Sequence, residues 1–268
     1  IPLTSGEASI TVEVNGQTVS GVSTAKTEIF SIKVSDPEAF PFKLNLVVSG
    51  YDGNSTLTDF PVLVELHSGI TNFSYDSFRS DTGADLRFYT PIGRELVYEI
   101  ENWDSSGHSR IWVQVPSVSD KNTTFNAAWG NPLAITPPTY ATDGSTWSNG
   151  FSGTWHFGEL QLGKFLDSSP TGSHATNNGS KITTNGRIGP AADVNGSNIQ
   201  VSYSPELNPT IFSVSAWVKE SPPSSAGVNG FLGFGYHQPP NNNYFNDINT
   251  LLALPALGPG TMVLGEPN

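Results

Sequence analysis

The chain has 268 residues, enough for two domains, and 36% hydrophobic content with 6 Trp and 15 Phe supplies packed cores and excludes a disordered chain. A formal net charge of −12 repels nucleic-acid phosphates and anionic membrane surfaces, so neither is expected as a partner. The absence of cysteine excludes disulfides, thiol nucleophiles and thiolate metal sites, and no apolar run approaches the ~20 residues of a membrane-spanning helix, so no membrane insertion is expected.

Gly and Pro, 27 and 20 of them, are spread through the chain, and no stretch keeps helical periodicity over a useful length. Short alternating runs between Gly, Pro, Asn and Asp clusters predict an all-β chain of two β-sandwich, jelly-roll-like domains preceded by an N-terminal β-strand segment. The segment 1–37 alternates Ile10, Val12 and Val14 on one face, meets Asn15-Gly16, a dipeptide that predicts a hairpin turn, and continues into a strand in TEIFSIKVSD. Three short strands bury no core of their own, so the segment is expected to pack on the next domain or, as an added strand, on another copy of the chain. In residues 38–136, FKLNLVV, FPVLVEL, DLRFYT, ELVYEIEN, SRIWVQVP and FNAAWG read as strands of an accessory β-sandwich, with turns in DSSGH and PSVSDKNTT. Residues 137–152, stiffened by Pro137-Pro138, have the composition of a linker. Residues 153–268 form the last domain, with FSVSAWVK as its clearest strand and two polar loops, ESPPSSAGVNG and YHQPPNNNYFNDIN.

Residues 83–103, GADLRFYTPIGRELVYEIENW, carry the sharpest pattern. With a turn over Thr90-Pro91-Ile92-Gly93, pairing Leu86 with Tyr98 and Phe88 with Leu96 turns these four and Ile100 toward a core, and a slip of one residue would bury the charges instead. Asp85, Arg87, Glu95, Glu99 and Glu101 then share the outer face. Glu99 and Glu101 stand roughly 6–7 Å apart by strand rise, and their carboxyl groups reach the ~5–9 Å separations used in glycoside hydrolysis. A general acid needs burial to raise its pKa, and an open face compensated by Arg87 offers none. The expectation is an exposed cross-strand charge ladder worth roughly 0.2–1 kcal/mol per pair, with no enzymatic activity.

Two resemblances accompany these residues. FPVLVEL, GADLRFYTPIGRELVYEIENWD, RIWVQVP and FNAAWGNP, spanning Phe42–Pro132, resemble a domain-of-unknown-function family of large exported bacterial and archaeal surface proteins. That resemblance implies an accessory β-sandwich and carries no activity with it. GTWHFGE, LDSSPTGSHAT, GRIGPAADVNGSNIQVSY and FSVSAWVK resemble the laminin-G-like branch of the concanavalin A-like lectin/glucanase superfamily. This implies a jelly roll that binds glycans or proteins, sometimes with calcium. The catalytic members' strand of alternating acidic residues is missing from residues 153–268, as is a downstream hairpin of the branch, so the domain is expected to be truncated or completed by a neighbour.

The laminin-G-like resemblance implies a role for Asp167, Asp193 and Asn195 as calcium ligands or as turn residues, and Asp167 in LDSSP is equally suited to bonding its own backbone. Calcium is the single metal under consideration, and no motif requires a cofactor. The five histidines, His67, His108, His156, His174 and His237, lack the spacing of a zinc motif, and His156 is expected to pack in a strand. Neither a nucleophile elbow nor a phosphate loop nor a dinucleotide fingerprint occurs. Trp147, Tyr236 and Tyr244 are candidates for stacking on sugar rings, with Asn241, Asn242 and Asn243 as hydrogen-bond partners; the alternative for Trp147 is to anchor the linker. Trp103, Trp112, Trp129 and Trp217 are expected to serve packing. Asn-x-Ser/Thr acceptors at Asn54, Asn72, Asn122, Asn178 and Asn195 fit an exported glycoprotein.

The sequence thus points to a non-enzymatic extracellular or cell-surface protein, its signal peptide already removed, with a lectin-like module for adhesion or glycan binding. Its expected partners are glycans or surface proteins. The alternative is a structural subunit of an extracellular filament or surface layer, joined to copies of itself through the N-terminal strand.

Overall fold

The computed structural model describes residues 6–17, 23–34, 36–184, 186–194, 197–202, 204–207, 211–219, 229–235, 248–254 and 263–265, with side chains between residues 36 and 219 of these. The chain divides into two compact units, Ile1–Thr210 and Ile211–Asn268. It is all-β: every strand pair is antiparallel, and helix among the described residues is limited to three-residue 3-10 turns. No helix among them is long and apolar enough to cross a membrane.

In the first unit, β1 (Gly6–Gln17) and β2 (Ser23–Val34) pair from Gly6 opposite Val34 to Gln17 opposite Ser23. Among its described residues the segment therefore holds two long strands, where three short ones are expected. The expected turn at Asn15-Gly16 lies inside the ladder, opposite Ala25 and Thr24. Twelve consecutive pairs set the register here, and a local turn dipeptide does not outweigh them.

The sandwich comes next along the chain. Its strands are β3 (Phe42–Val47), β4 (Leu57–His67), β5 (Arg87–Tyr89), β6 (Glu95–Leu96), β7 (Tyr98–Asn102), β8 (His108–Val118) and β9 (Thr124–Trp129). One sheet has the order β3-β9-β5-β6 and the other β4-β8-β7. Inward residues of both close a single core: Phe88, Leu96, Phe125, Ala127 and Trp129 from the first, and Val64, Leu66, Tyr98, Ile111 and Val113 from the second. Alternation does this work, since neighbours along β8 such as Trp112 and Gln114 point away from the core while Ile111, Val113 and Val115 are buried.

The expected hairpin of residues 83–103 is half-formed. Phe88 pairs with Leu96 as the pattern predicts, and Leu86, Phe88, Leu96 and Tyr98 are buried, with Ile100 packed against them. The expected pairing of Leu86 with Tyr98 does not form. The chain passes at Val97 from the first sheet to the second, where Gln114 N–H donates to Val97 O at 3.0 Å and Tyr98 pairs with Val113. Leu96 and Tyr98 both stay inward across this switch, and the Tyr98 hydroxyl keeps a link to Leu86 by donating to its carbonyl at 2.6 Å. Burial of that hydroxyl, outweighing the neighbouring Arg87 charge, pushes its pKa well above the usual tyrosine value.

Two residues expected on an open face are buried instead. Asp85, fully buried, accepts backbone N–H bonds from Arg79, Ser80 and Gly130 at 3.0, 3.1 and 2.8 Å. Arg87, 7% exposed, donates to the carbonyls of Ala84, Leu86 and Thr136 and lies 3.6 Å from Glu95 Oε1. Short loops leave carbonyls and amides that no ladder satisfies, and these side chains complete them. Gly83, at φ +71°, sits against the Trp103 ring, where a Cβ would come within 2.5 Å of the ring carbons.

Residues 137–152, expected as a linker, are packed on the sandwich. Ala141, Thr146 and Trp147 are buried, the Tyr140 hydroxyl donates to Glu95, and 3-10 turns form at Thr139–Ala141 and Ser145–Trp147. Beyond them β10 (Lys164–Phe165), β11 (Ala175–Asn178) and β14 (Asn198–Val201) make a three-stranded sheet in the order β10-β11-β14, and β12 (Lys181–Thr183) pairs with β13 (Ala191–Asp193). In the second unit β15 (Asn229–Gly235), β16 (Ile248–Leu254) and β17 (Val263–Gly265) form one sheet. Residues 212–219, expected as the clearest strand, belong to none of the described sheets, and Phe212, Val214, Trp217 and Val218 are exposed. Strand propensity alone holds no ladder without a neighbouring strand.

Asp85→Ala would leave the buried Gly130 N–H and the part-buried N–H groups of Arg79 and Ser80 without an acceptor, at up to roughly 1–3 kcal/mol each. We expect a loss of about 3 kcal/mol or more in urea unfolding, with Asp85→Asn, which keeps one acceptor oxygen, falling between the two; equal stability of the alanine variant and the unmodified protein would refute this account.

Candidate functional site

The second sheet turns its outer face toward the chain downstream of it. On β7 the alternation that sends Tyr98 and Ile100 inward sends Glu99 and Glu101 outward, and Glu99 stands opposite Trp112 of β8. Sequence reasoning places both carboxylates in solvent. The structure overturns this: the Glu99 and Glu101 side chains are 20% and 4% exposed. The cover comes from Trp147, His156, Ser168 and Gly189, all downstream of the sandwich strands.

Each carboxylate is held by donors from that cover and from β8. Glu99 Oε1 accepts the Ser168 hydroxyl at 2.6 Å, and Glu99 Oε2 accepts the Trp147 indole N–H. Glu101 Oε2 accepts the Trp112 indole N–H at 2.9 Å and also meets His156 Nδ1 in an ion pair. A Cβ at Gly189 would stand 3.2 Å from Glu101 Oε1, close enough that the carboxylate would have to give by a few tenths of an ångström. His156 Nε2 lies 3.5 Å from Glu99 Oε2, an ion-pair contact outside hydrogen-bond geometry. The imidazole thus bridges both carboxylates. The Trp112 and Trp147 rings meet edge to face at 5.3 Å, and Trp147 lies 5.6 Å from the His156 ring.

Burial works against charge on His156, but the contact with Glu101 and the nearby negative charges of Glu101 and Glu99 outweigh it and push its pKa up to about 9. At neutral pH the site is therefore an imidazolium between two carboxylates, with indole and hydroxyl donors filling much of the remaining oxygen surface.

Other expected sites divide by what the fold does with them. Trp147 is 5% exposed with its indole N–H on Glu99, so it anchors the segment and offers no face to a sugar. Tyr236, Asn241, Asn242, Asn243 and Tyr244 lie outside the described residues. Asp167 takes the turn role: Oδ1 accepts from Thr154 N and Ser169 N, and Oδ2 from Ser169 Oγ, Thr171 Oγ1 and Ser173 N, all within 2.8–2.9 Å. Five donors thus engage its two oxygens. Asp193 is exposed at the end of β13, and Asn195 lies outside the described residues. Asn54, Asn72, Asn122 and Asn178 are all exposed. His156, expected in a strand, is the cation of the buried cluster. Two further histidines, His67 and His108, come together with Glu65 across β4 and β8, a grouping that spacing along the chain does not reveal.

Residues 82–154 match the family described as Domain of unknown function (DUF2341). The expected resemblance over Phe42–Pro132 is thus shifted toward the C-terminus, taking in the packed 137–152 segment and leaving out β3 and β4. No curated protein and no solved structure matches the chain. The matched stretch contains Glu99, Glu101, Trp112 and Trp147, while His156 and Ser168 lie just beyond it.

Because the folded-state pKa of His156 lies above its ordinary 6.5, its stabilising contribution is complete below pH 6.5 and is lost as pH rises through about 9. The melting temperature of the unmodified protein should fall across that window, with a shift in tryptophan emission as the indole bonds loosen. His156→Gln should melt lower at pH 6.5 and show a flatter profile over the same window; identical pH profiles for the two proteins would contradict the bridge.

Proposed function

We propose that this chain is a non-enzymatic extracellular surface protein in which the sandwich serves as a base for a lectin-like second half engaged in adhesion or glycan binding. The observation that carries the non-enzymatic part is the state of the carboxylate pair. Hydrolysis of a glycoside needs space between two carboxyl groups for the scissile bond, and a proton on one of them. Here the imidazolium occupies the space, and the proton sits on His156. The pair works as a latch that fastens the downstream chain to the sheet.

The extracellular part is supported by the exposure of all four described Asn-x-Ser/Thr acceptors and by the low content of charged residues. The lectin-like part rests on the motifs GTWHFGE, LDSSPTGSHAT and GRIGPAADVNGSNIQVSY, whose Asp167 organises the turn between the expected opening strands. With Trp147 buried, sugar stacking falls to Tyr236 and Tyr244, with the asparagines between them as hydrogen-bond partners. No step in this reading calls for calcium.

A second reading is favoured by one observation. The β1–β2 hairpin, twelve residues on each strand, joins no third strand among the described residues. Hairpins of this kind are marginal alone and gain from adding to the sheet edge of a second molecule, which would make the chain a subunit of a filament or surface layer.

A glycan array run with and without calcium tests the first reading. We expect binding that Tyr236→Ala and Tyr244→Ala abolish without changing the melting temperature; a blank array in both conditions would sink it. Hydrolysis of a β-glucan, lost in Glu99→Gln, would overturn the non-enzymatic assignment. Removal of residues 1–37 should leave the sedimentation coefficient that of a monomer under the first reading and dissolve higher assemblies under the second.

A further inference from the structure

We propose that Glu65, His67 and His108 form a binding site for a divalent transition-metal ion on the outer face of the second sheet. The register of β4 and β8 places His67 directly opposite His108 at the last pair of the ladder, and Glu65 lies two residues before His67 on the same face. One ligand-capable atom from each residue lies within 4.8 Å of the other two. Ligands of a tetrahedral zinc ion, at about 2.0–2.2 Å from the metal, stand roughly 3.3–3.5 Å apart. The side chains therefore need to close by about an ångström. Half-exposed rotamers have that freedom: the His108 and Glu65 side chains are 50% and 44% exposed.

The arrangement already has the polarity of a cation site. Glu65 Oε1 lies 3.0 Å from His108 Nδ1, and Oε2 lies 3.2 Å from the Arg110 guanidinium. A metal between Glu65 Oε1 and His108 replaces the single proton that this contact otherwise needs, while Arg110 keeps hold of the second oxygen and fixes the carboxylate. The two imidazole rings stack with centroids 4.8 Å apart and planes 29° from parallel. His67 Nδ1 accepts the Gly69 N–H at 3.2 Å. A metal ion at that nitrogen competes with this one long hydrogen bond.

Two imidazoles and one carboxylate select zinc, nickel or copper over calcium and magnesium, which prefer all-oxygen shells. Three protein ligands on an exposed sheet end leave a fourth position facing solvent, the arrangement of an open rather than a closed structural site. The site is separate from the Glu99–Glu101–His156 latch and is independent of the glycan-binding reading.

The test uses the whole chain. Histidine side-chain NMR spectra are recorded during titration with zinc chloride and, separately, with calcium chloride, alongside calorimetry. We expect one equivalent of zinc to shift or broaden His67 and His108 while leaving His156 and His174 in place, and calcium to do neither. His67→Ala and His108→Ala should each weaken zinc binding at least about tenfold, and Glu65→Gln should weaken it by less, with metal-free melting temperatures little changed because Glu65 and His108 are exposed and His67 is only partly buried. Zinc that binds with unaltered affinity to the His67→Ala/His108→Ala double variant, or that leaves both histidine signals unmoved in the unmodified protein, would overturn the assignment.

Discussion

The organising constraint of this molecule is that two like charges two residues apart on β7 are covered by protein. Glu99 and Glu101 cannot share a face of low exposure without compensation, because each loses hydration and repels the other. The compensation is specific: a histidine forced to keep its proton, two indole N–H groups and one hydroxyl, each aimed at a named oxygen. Of these, Trp112 belongs to the same sheet, and the rest arrive from residues 147–168. The downstream chain is therefore required by the sheet, because its absence would expose tryptophans and its displacement would strand a buried carboxylate.

The strand switch at Val97 creates this situation. Had β6 and β7 continued as one hairpin arm beside β5, the register of Phe88 with Leu96 would have set Glu99 opposite Asp85 and diagonal to Arg87. By crossing between sheets after Leu96, the chain keeps Leu96 and Tyr98 in one core but moves Glu99 beyond the reach of Arg87 and sets it opposite Trp112. Arg87 is then free to satisfy the carbonyls of Ala84, Leu86 and Thr136, which draws residues 134–136 onto the sandwich and starts the covering segment on its path. One crossing thus explains both the inward arginine and the need for His156.

The sequence makes one half of each strand legible and leaves the other half open. Alternation correctly assigns Leu86, Phe88, Leu96 and Tyr98 to the core and pairs Phe88 with Leu96, because a hydrophobic face has only one place to go. It also brings Arg87 to Glu95. What alternation cannot tell is whether the polar face meets water or more protein, and Glu99, Glu101, Asp85 and Arg87 all turned on that difference. Composition misleads in the same way at residues 137–152. Pro137-Pro138 and the Ser/Gly run describe a backbone that is neither helix nor strand, yet Tyr140, Thr146 and Trp147 pack well in irregular structure. The Glu65–His67–His108 group was hidden for a different reason: its histidines are neighbours through a ladder register, and motif spacing reads only along the chain.

A buried ion pair seldom stabilises a fold more than apolar residues of the same shape would, so the worth of the latch lies in direction. An apolar cover could slide over an apolar sheet at little cost, since hydrophobic burial has no preferred geometry. Glu101 has one position in which it meets both Trp112 Nε1 and His156 Nδ1, and Glu99 one in which it meets both Trp147 Nε1 and Ser168 Oγ. Three donors from residues 147–168, with Trp112 holding Glu101 from within the sheet, fix that segment in register, and a shift along the strand would break several bonds together and leave charge unpaired. The joint is therefore rigid at its closest approach, and rigidity there is the property a base needs if it is to hold the downstream segment in a single register.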